Sequence, residues 1–160
     1  MSDQTSCSIC RRPSKSNPDC GICHAHLCKK CAQVVSPDAF QFKSKPDAEL
    51  SHGTFCSACF QSKVEGALAE YEELLGKAKE VHFFFVNHKG RLPVVEQAKK
   101  KISVESCRDR DETILRLGFL AAELGYDAVV QGDVAVKKVR MGAYQTADWV
   151  GSGYPAMMKR

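Results

Sequence analysis

Four Cys-x₂-Cys pairs crowd the first 60 residues of this 160-residue chain: Cys7/Cys10, Cys20/Cys23, Cys28/Cys31 and Cys56/Cys59. Two intervening residues let both thiolates of a pair turn onto one ion, and two such pairs close a tetrahedral four-sulfur site. A redox Cys-x₂-Cys motif needs one pair at a helix start, not four. Iron–sulfur ligation uses the same residue type and is the lesser rival. The expectation is two structural zinc ions per chain. Spacing leaves open which pairs share an ion: neighbouring pairs in sequence, or alternating pairs that interlock both sites.

The remaining features bound the class of protein. Met1–Ser6 is polar and does not read as a signal peptide, and the longest apolar stretch, Val81 to Val86, is too short to span a bilayer. The expected location is therefore cytoplasmic, where thiols stay reduced and nine cysteines do not make a disulfide framework. The formal charge is +4, but eight thiolates holding two Zn²⁺ contribute about −4, so basicity gives no argument for a nucleic-acid partner.

A knob of this size has too little core to fold on its own. Its apolar residues are Ile9, Ile22, Leu27, Val34, Val35, Phe40, Phe42, Leu50, Phe55 and Phe60. A structural zinc supplies roughly 10–16 kcal/mol of apparent binding energy, which stands in for the missing interior. Turn signals at Ser36-Pro37-Asp38 and Ser44-Lys45-Pro46-Asp47 bracket Phe40-Gln41-Phe42, read as a short strand.

The segment resembles the FYVE-type zinc fingers, within the wider FYVE/PHD group. The resemblance covers residues 7 to about 75 and is carried by Cys20-Gly-Ile-Cys23-x₄-Cys28-Lys-Lys-Cys31 and by Thr54-Phe55-Cys56-Ser57-Ala58-Cys59-Phe60 leading into a helix. It implies a cross-brace, with Cys7, Cys10, Cys28 and Cys31 on zinc 1 and Cys20, Cys23, Cys56 and Cys59 on zinc 2. That family binds phosphatidylinositol 3-phosphate through a basic run around its third cysteine. Here Ser16-Asn17-Pro18-Asp19-Cys20-Gly21 stands in that place, and the family's Trp-x-x-Asp signature is replaced by Met1 to Ser6. The loop Arg11-Arg12-Pro13-Ser14-Lys15-Ser16 has no aromatic or leucine to insert into lipid. Lys29 and Lys30 with Arg11, Arg12 and Lys15 form a small basic set, read as solvated surface. A RING-type finger is the runner-up because His24 and His26 lie nearby. The four-residue gap between Cys23 and Cys28 does not suit it, and both histidines read as loop decoration.

From Gln61 onward Val64, Ala67, Leu68, Tyr71, Leu74, Leu75 and Ala78 recur at helical steps. Glu65, Glu70, Glu72 and Glu73 precede Lys77 and Lys79, the order the helix dipole favours. The organisation expected is α+β: a double zinc finger over 1–62, a linking amphipathic helix over 63–80, and a small sheet domain over 81–160. In the last, Val81–Val86 is apolar on both faces and reads as a central strand. Asn87-His88-Lys89-Gly90 reads as a turn, and Ile102-Ser103-Val104 as a strand running to Cys107. Asp109 or Asp111 caps a helix that Gly125 ends. Tyr126–Val130 and Val134–Val139 read as strands interrupted by Gln131-Gly132-Asp133, and Ala143–Val150 with Tyr154–Met158 completes the sheet.

The stretch Ala121-Ala122-Glu123-Leu124-Gly125-Tyr126-Asp127-Ala128-Val129-Val130-Gln131-Gly132 is similar to the helix-to-strand segment of the YbjQ-type family, described as heavy-metal-binding. The ending Trp149-Val150-Gly151-Ser152-Gly153-Tyr154-Pro155-Ala156 resembles that family's final strand. The resemblance spans about 100–158 and implies ring-shaped homo-oligomers, which would make the finger multivalent.

Chemistry in this half is sparse. Cys107 precedes a helix start, on the Lys101/Ser103/Glu105 side of the alternation, and reads as a partly exposed packing thiol. His82 reads as a core histidine, His88 as solvated, and Met157 and Met158 as packing residues. Asp109, Asp111 and Glu112 belong at a helix start. No glycine-rich phosphate loop is present. The chain thus reads as a non-enzymatic adaptor whose finger takes a protein partner, with a phosphoinositide surface weakened by the missing basic run. The alternatives are a RING-like recruiter and a soft-metal sensor acting through Cys107, His82 and Met157.

Overall fold

The computed structural model describes residues 5–15, 18–43, 45 and 47–159. Residues Ser16 and Asn17, the Ser44 and Pro46 positions of the expected turn, and the first four residues lie outside these. The chain divides into two compact units, Met1–Glu72 and Glu73–Arg160. Among the described residues no helix is long and apolar enough to cross a membrane.

The first unit holds little regular structure, as its turn-rich sequence dictates. Two strands of two residues each, β1 (Gln33–Val34) and β2 (Thr54–Phe55), pair antiparallel. Helix starts at α1 (Ser57–Cys59), passes through a π-helical turn at Phe60–Val64 and continues as α2 (Glu65–Glu80). The core is small: Leu27, Val35, Leu50, Phe55 and Val64 are buried around Cys20 and Cys56, with Ile22, Phe40, Phe60 and Leu68 against them. Phe40 and Phe42 lie in turns rather than a strand. Their reason is Tyr71, whose ring meets Phe40 edge-on at 5.4 Å and whose hydroxyl accepts from the Phe42 N–H at 3.3 Å. A side-chain partner thus takes the place of a strand neighbour.

The second unit takes in the end of α2 from Glu73 and adds a five-stranded mixed sheet with one further helix, so the class is α+β. Its elements are β3 (His82–Phe85), β4 (Val94–Gln97), β5 (Ile102–Cys107), α3 (Arg110–Glu123), β6 (Ala128–Met141) and β7 (Tyr144–Met158). The order is β3-β6-β7-β4, with β5 also on β7. β5 pairs with the Trp149–Gly153 half of β7 and β4 with the Ala156–Met158 half. Only β3–β6 is parallel.

α3 packs on β5, β6, β7 and β3. Asp109 caps it by accepting from the Glu112 N–H at 2.8 Å, while the Glu112 carboxylate accepts from the N–H of Arg108, one residue before the cap. Close packing needs Gly151: a Cβ there would stand 2.5 Å from Thr113 Cγ2 and 3.0 Å from Leu117 Cδ1.

Three expectations are corrected. β3 is an edge strand, because apolarity on two faces reports what lies above and below, not beside. Phe83 packs under Gly132, while Phe84 joins Ala128, Val130 and Ala156. The Gln131-Gly132-Asp133 interruption is a bulge inside one long strand, absorbed by Gln131 at φ 52. His82 is exposed, its ring stacked beside Phe84 at 6.4 Å.

Candidate metal centre

The eight finger cysteines gather into two groups of four. The Sγ atoms of Cys7, Cys10, Cys28 and Cys31 all lie within 4.8 Å of one another, as do those of Cys20, Cys23, Cys56 and Cys59. Alternating pairs therefore share a site, and the cross-brace is the arrangement present.

The chain builds each site from two kinds of local structure. The first two pairs are hairpin knuckles. Arg11 N–H donates to Cys7 O at 2.9 Å, and His24 N–H to Cys20 O at 3.0 Å. Bridges Ser6–Pro13 and Asp19–His26 close the two hairpins at equivalent places. Arg11 and His24 both take the left-handed conformation, φ 59 and 61, that lets the chain double back behind each pair. The other two pairs sit on helical turns: Ala32 N–H donates to Cys28 O at 3.0 Å and Phe60 N–H to Cys56 O at 2.9 Å. Each site thus joins one hairpin knuckle to one helical turn.

Backbone hydrogen bonds set which knuckle meets which turn. Ser8 N–H donates to His26 O at 2.8 Å, and Gly21 N–H donates to Thr54 O at 2.9 Å. The second requires glycine, since a Cβ at Gly21 would lie 2.4 Å from His52 Cβ. Sequence reasoning missed these donors and the two left-handed residues. The signal was available: Cys7-Ser8-Ile9-Cys10 repeats as Cys20-Gly21-Ile22-Cys23 thirteen positions on.

The donor set fits zinc. A Zn–S bond of about 2.3 Å puts tetrahedral sulfurs about 3.8 Å apart. Cys10 and Cys28 Sγ are 3.7 Å apart, and Cys23 and Cys56 Sγ are 3.8 Å apart. All nine cysteines are free, and these separations are far beyond a disulfide bond. Backbone N–H groups stabilise the sulfurs, Ile9 donating to Cys7 Sγ and Cys59 to Cys56 Sγ, each at 3.4 Å.

Without a cation the sulfurs of each group share protons unevenly. Backbone N–H groups of Cys10 and Cys28 hold the Cys7 thiol at about 6, well below its ordinary 9.0. Burial pushes Cys20 up, but the N–H groups of Cys56, Cys23 and Ile22 outweigh it and bring the thiol to about 6. The Cys31 N–H draws Cys28 down as well. A hydrogen bond with the Cys28 sulfur pushes Cys31 up to about 12, and one with Cys56 does the same to Cys59. For Cys23 the Ala25 N–H pulls down, yet burial and the Cys20 sulfur leave it raised. A divalent cation would replace the shared protons at every one of these sulfurs.

The histidines stand apart. His26 is bonded to Asp19 through Nδ1 and His24 is exposed, so both sites are all-sulfur. Cys107 is 2% exposed, contrary to its place in the alternation, because Ser106 at φ 55 bulges β5 and turns the next side chain inward. Its Sγ–H points to Glu105 O at 3.6 Å. His82 and Met157 line one cleft of about 370 Å³ with Lys77, Glu80, Tyr126 and Asp127. Cys107 lies opposite Trp149, seven residues of β7 from Ala156 at the His82 level, or about 23 Å of strand. Those three residues do not converge.

No protein family matches the chain, and neither a curated protein nor a solved structure matches it.

Proposed function

We propose that the chain is a zinc-built, non-enzymatic adaptor whose FYVE-like finger holds a protein partner. The observation that carries this reading is the closure of both sites: four protein sulfurs per group fill every tetrahedral position. An ion there has no vacancy for water or substrate, so zinc supplies fold rather than chemistry. Alternating pairs on hairpin knuckles and helical turns support the FYVE-like reading. A protein is preferred to a phosphoinositide because Asp19 and Gly21 flank Cys20 where that family carries bases. The all-sulfur sites favour this over a RING-like recruiter, and the separation of Cys107 from His82 and Met157 weighs against a soft-metal site in the second unit. The homo-oligomer implied by the YbjQ-type resemblance belongs to the same reading, and native mass spectrometry tests it.

Flotation of the zinc-loaded chain on liposomes with and without phosphatidylinositol 3-phosphate, with a chelated control, discriminates the partner classes. No lipid-dependent flotation is expected. In proximity labelling, neighbours of the intact chain are expected to be lost with Cys20→Ser. Zinc-dependent flotation only with the phosphoinositide would replace the protein partner by a membrane.

A further inference from the structure

Strands β6 and β7 run past the rest of the sheet. β3 accompanies β6 only as far as Gly132, and β5 accompanies β7 only from Trp149 onward. Beyond these limits the chain is a two-stranded ribbon, pairing Lys137 with Asp148 through Met141 with Tyr144 around a Gly142–Ala143 turn. Along Val134–Met141 the outer edge of β6 has no strand beside it among the described residues. Such an edge offers a row of unused N–H and C=O groups over about eight residues, or about 27 Å.

The ribbon is two-faced. Lys138 and Arg140 share one face, opposite Ala147 and Gln145. Val139 and Met141 share the other with Lys137, opposite Thr146, Tyr144 and Asp148, and Met141 and Tyr144 are 69% and 78% exposed. Lys137 faces Asp148, but no acidic residue occurs from Val134 to Ala147. Lys138 and Arg140 make no ion pair among the described residues. Their charge is therefore unmatched.

This charge selects the occupant. A second copy pairing edge to edge would bring these cations against their own counterparts, which is destabilising. A nucleic acid would match the cations but not the Val139/Met141/Tyr144 face. An extended peptide matches both, and its backbone completes the ladder. We propose that the open edge of β6, Val134–Met141, takes up an extended segment alternating acidic and apolar residues. The acids lie along Lys138 and Arg140, and the apolar side chains along Val139 and Met141. The site lies in the second unit and uses no residue of the zinc finger.

The test uses the full zinc-loaded chain and fluorescein-labelled octapeptides read by anisotropy. An alternating Glu/Val peptide is expected to bind saturably and an alternating Lys/Val peptide not to bind. A Glu/Val peptide with two central prolines, which lose ladder donors, is expected to bind about tenfold more weakly. Charge reversal at K138E/R140E should remove Glu/Val binding and confer binding of Lys/Val, whereas K89E should change neither. On Glu/Val binding, amide exchange should slow along Val134–Met141. Failure of the Glu/Val peptide to bind, equal binding of the proline peptide, or unchanged binding to K138E/R140E each overturns the proposal. So does a 16-base-pair DNA duplex that binds through Lys138 and Arg140 while the peptides do not.

Discussion

Arg11 and His24 occupy the same position in two successive metal knuckles, and both hold a left-handed backbone that L-residues avoid. Left-handed conformation costs a non-glycine residue about 1–2 kcal/mol, and glycine escapes this at the cost of a looser unfolded chain. His24→Gly should therefore leave stability unchanged or raise it by up to about 1 kcal/mol, while His24→Val should lower it by about 1–2 kcal/mol. Both variants should keep their full zinc complement by elemental analysis. Loss of an ion in His24→Gly would make the imidazole a ligand after all.

Removing one sulfur should cost more than one quarter of a site. Cys20→Ser breaks the second group directly, and its knuckle is also the platform on which Ser8 docks through His26 O. The expected zinc content falls from two per chain to near zero, because a structural ion supplies roughly 10–16 kcal/mol that the small core cannot replace. Retention of one full equivalent would show that the sites form independently.

Acidity should release the metal, and the sign follows from the thiols. Cys7 and Cys20, lowered from 9.0 to about 6, contribute stability to the ion-free finger that is fully present above pH 9 and lost as pH falls through 6. Cys31 and Cys59, raised to about 12, contribute stability present below pH 9 and lost as pH rises through 12. Zinc needs all four sulfurs of a site deprotonated, so protons compete with it throughout and most steeply once the low thiols also fill. Apparent zinc affinity, measured against a chromophoric chelator, should fall at least about tenfold per pH unit from 7 to 5. A flat profile would contradict thiolate ligation.

Two glycines should respond in opposite directions. Gly151→Ala places a methyl 2.5 Å from Thr113 Cγ2, and such overpacking costs about 1–3 kcal/mol. Gly76, in α2, has open space within 4 Å of where a methyl would stand, so Gly76→Ala should stabilise by about 0.5–1 kcal/mol. Thermal unfolding followed by circular dichroism reads both.

What the sequence made legible is what local chemistry enforces. The ligands were visible because two-residue spacing is a geometric demand of the ion, and α3 because Asp109 and Gly125 punctuate it. Pairing of the knuckles depends on Ser8 reaching His26 and Gly21 reaching Thr54, contacts that spacing does not encode. β1 and β2 are too short for any periodicity, and β4 follows Pro93 with only Val94 and Val95 as apolar signal. Bulges at Ser106 and Gln131 reverse the side-chain alternation, so a strict two-residue period puts Cys107 on the wrong face and divides β6 in two. Burial of His82 fails for a related reason: its position in an apolar run says nothing about a sheet margin.

Cys20 and Cys23 lie inside the segment that the first ion closes between Cys10 and Cys28, while their partners come from beyond it. Capturing either ion therefore shortens the search for the other, and losing either reopens both. Chains carrying a single ion should be scarce at every metal supply, with occupancy passing from empty to complete over a narrow span.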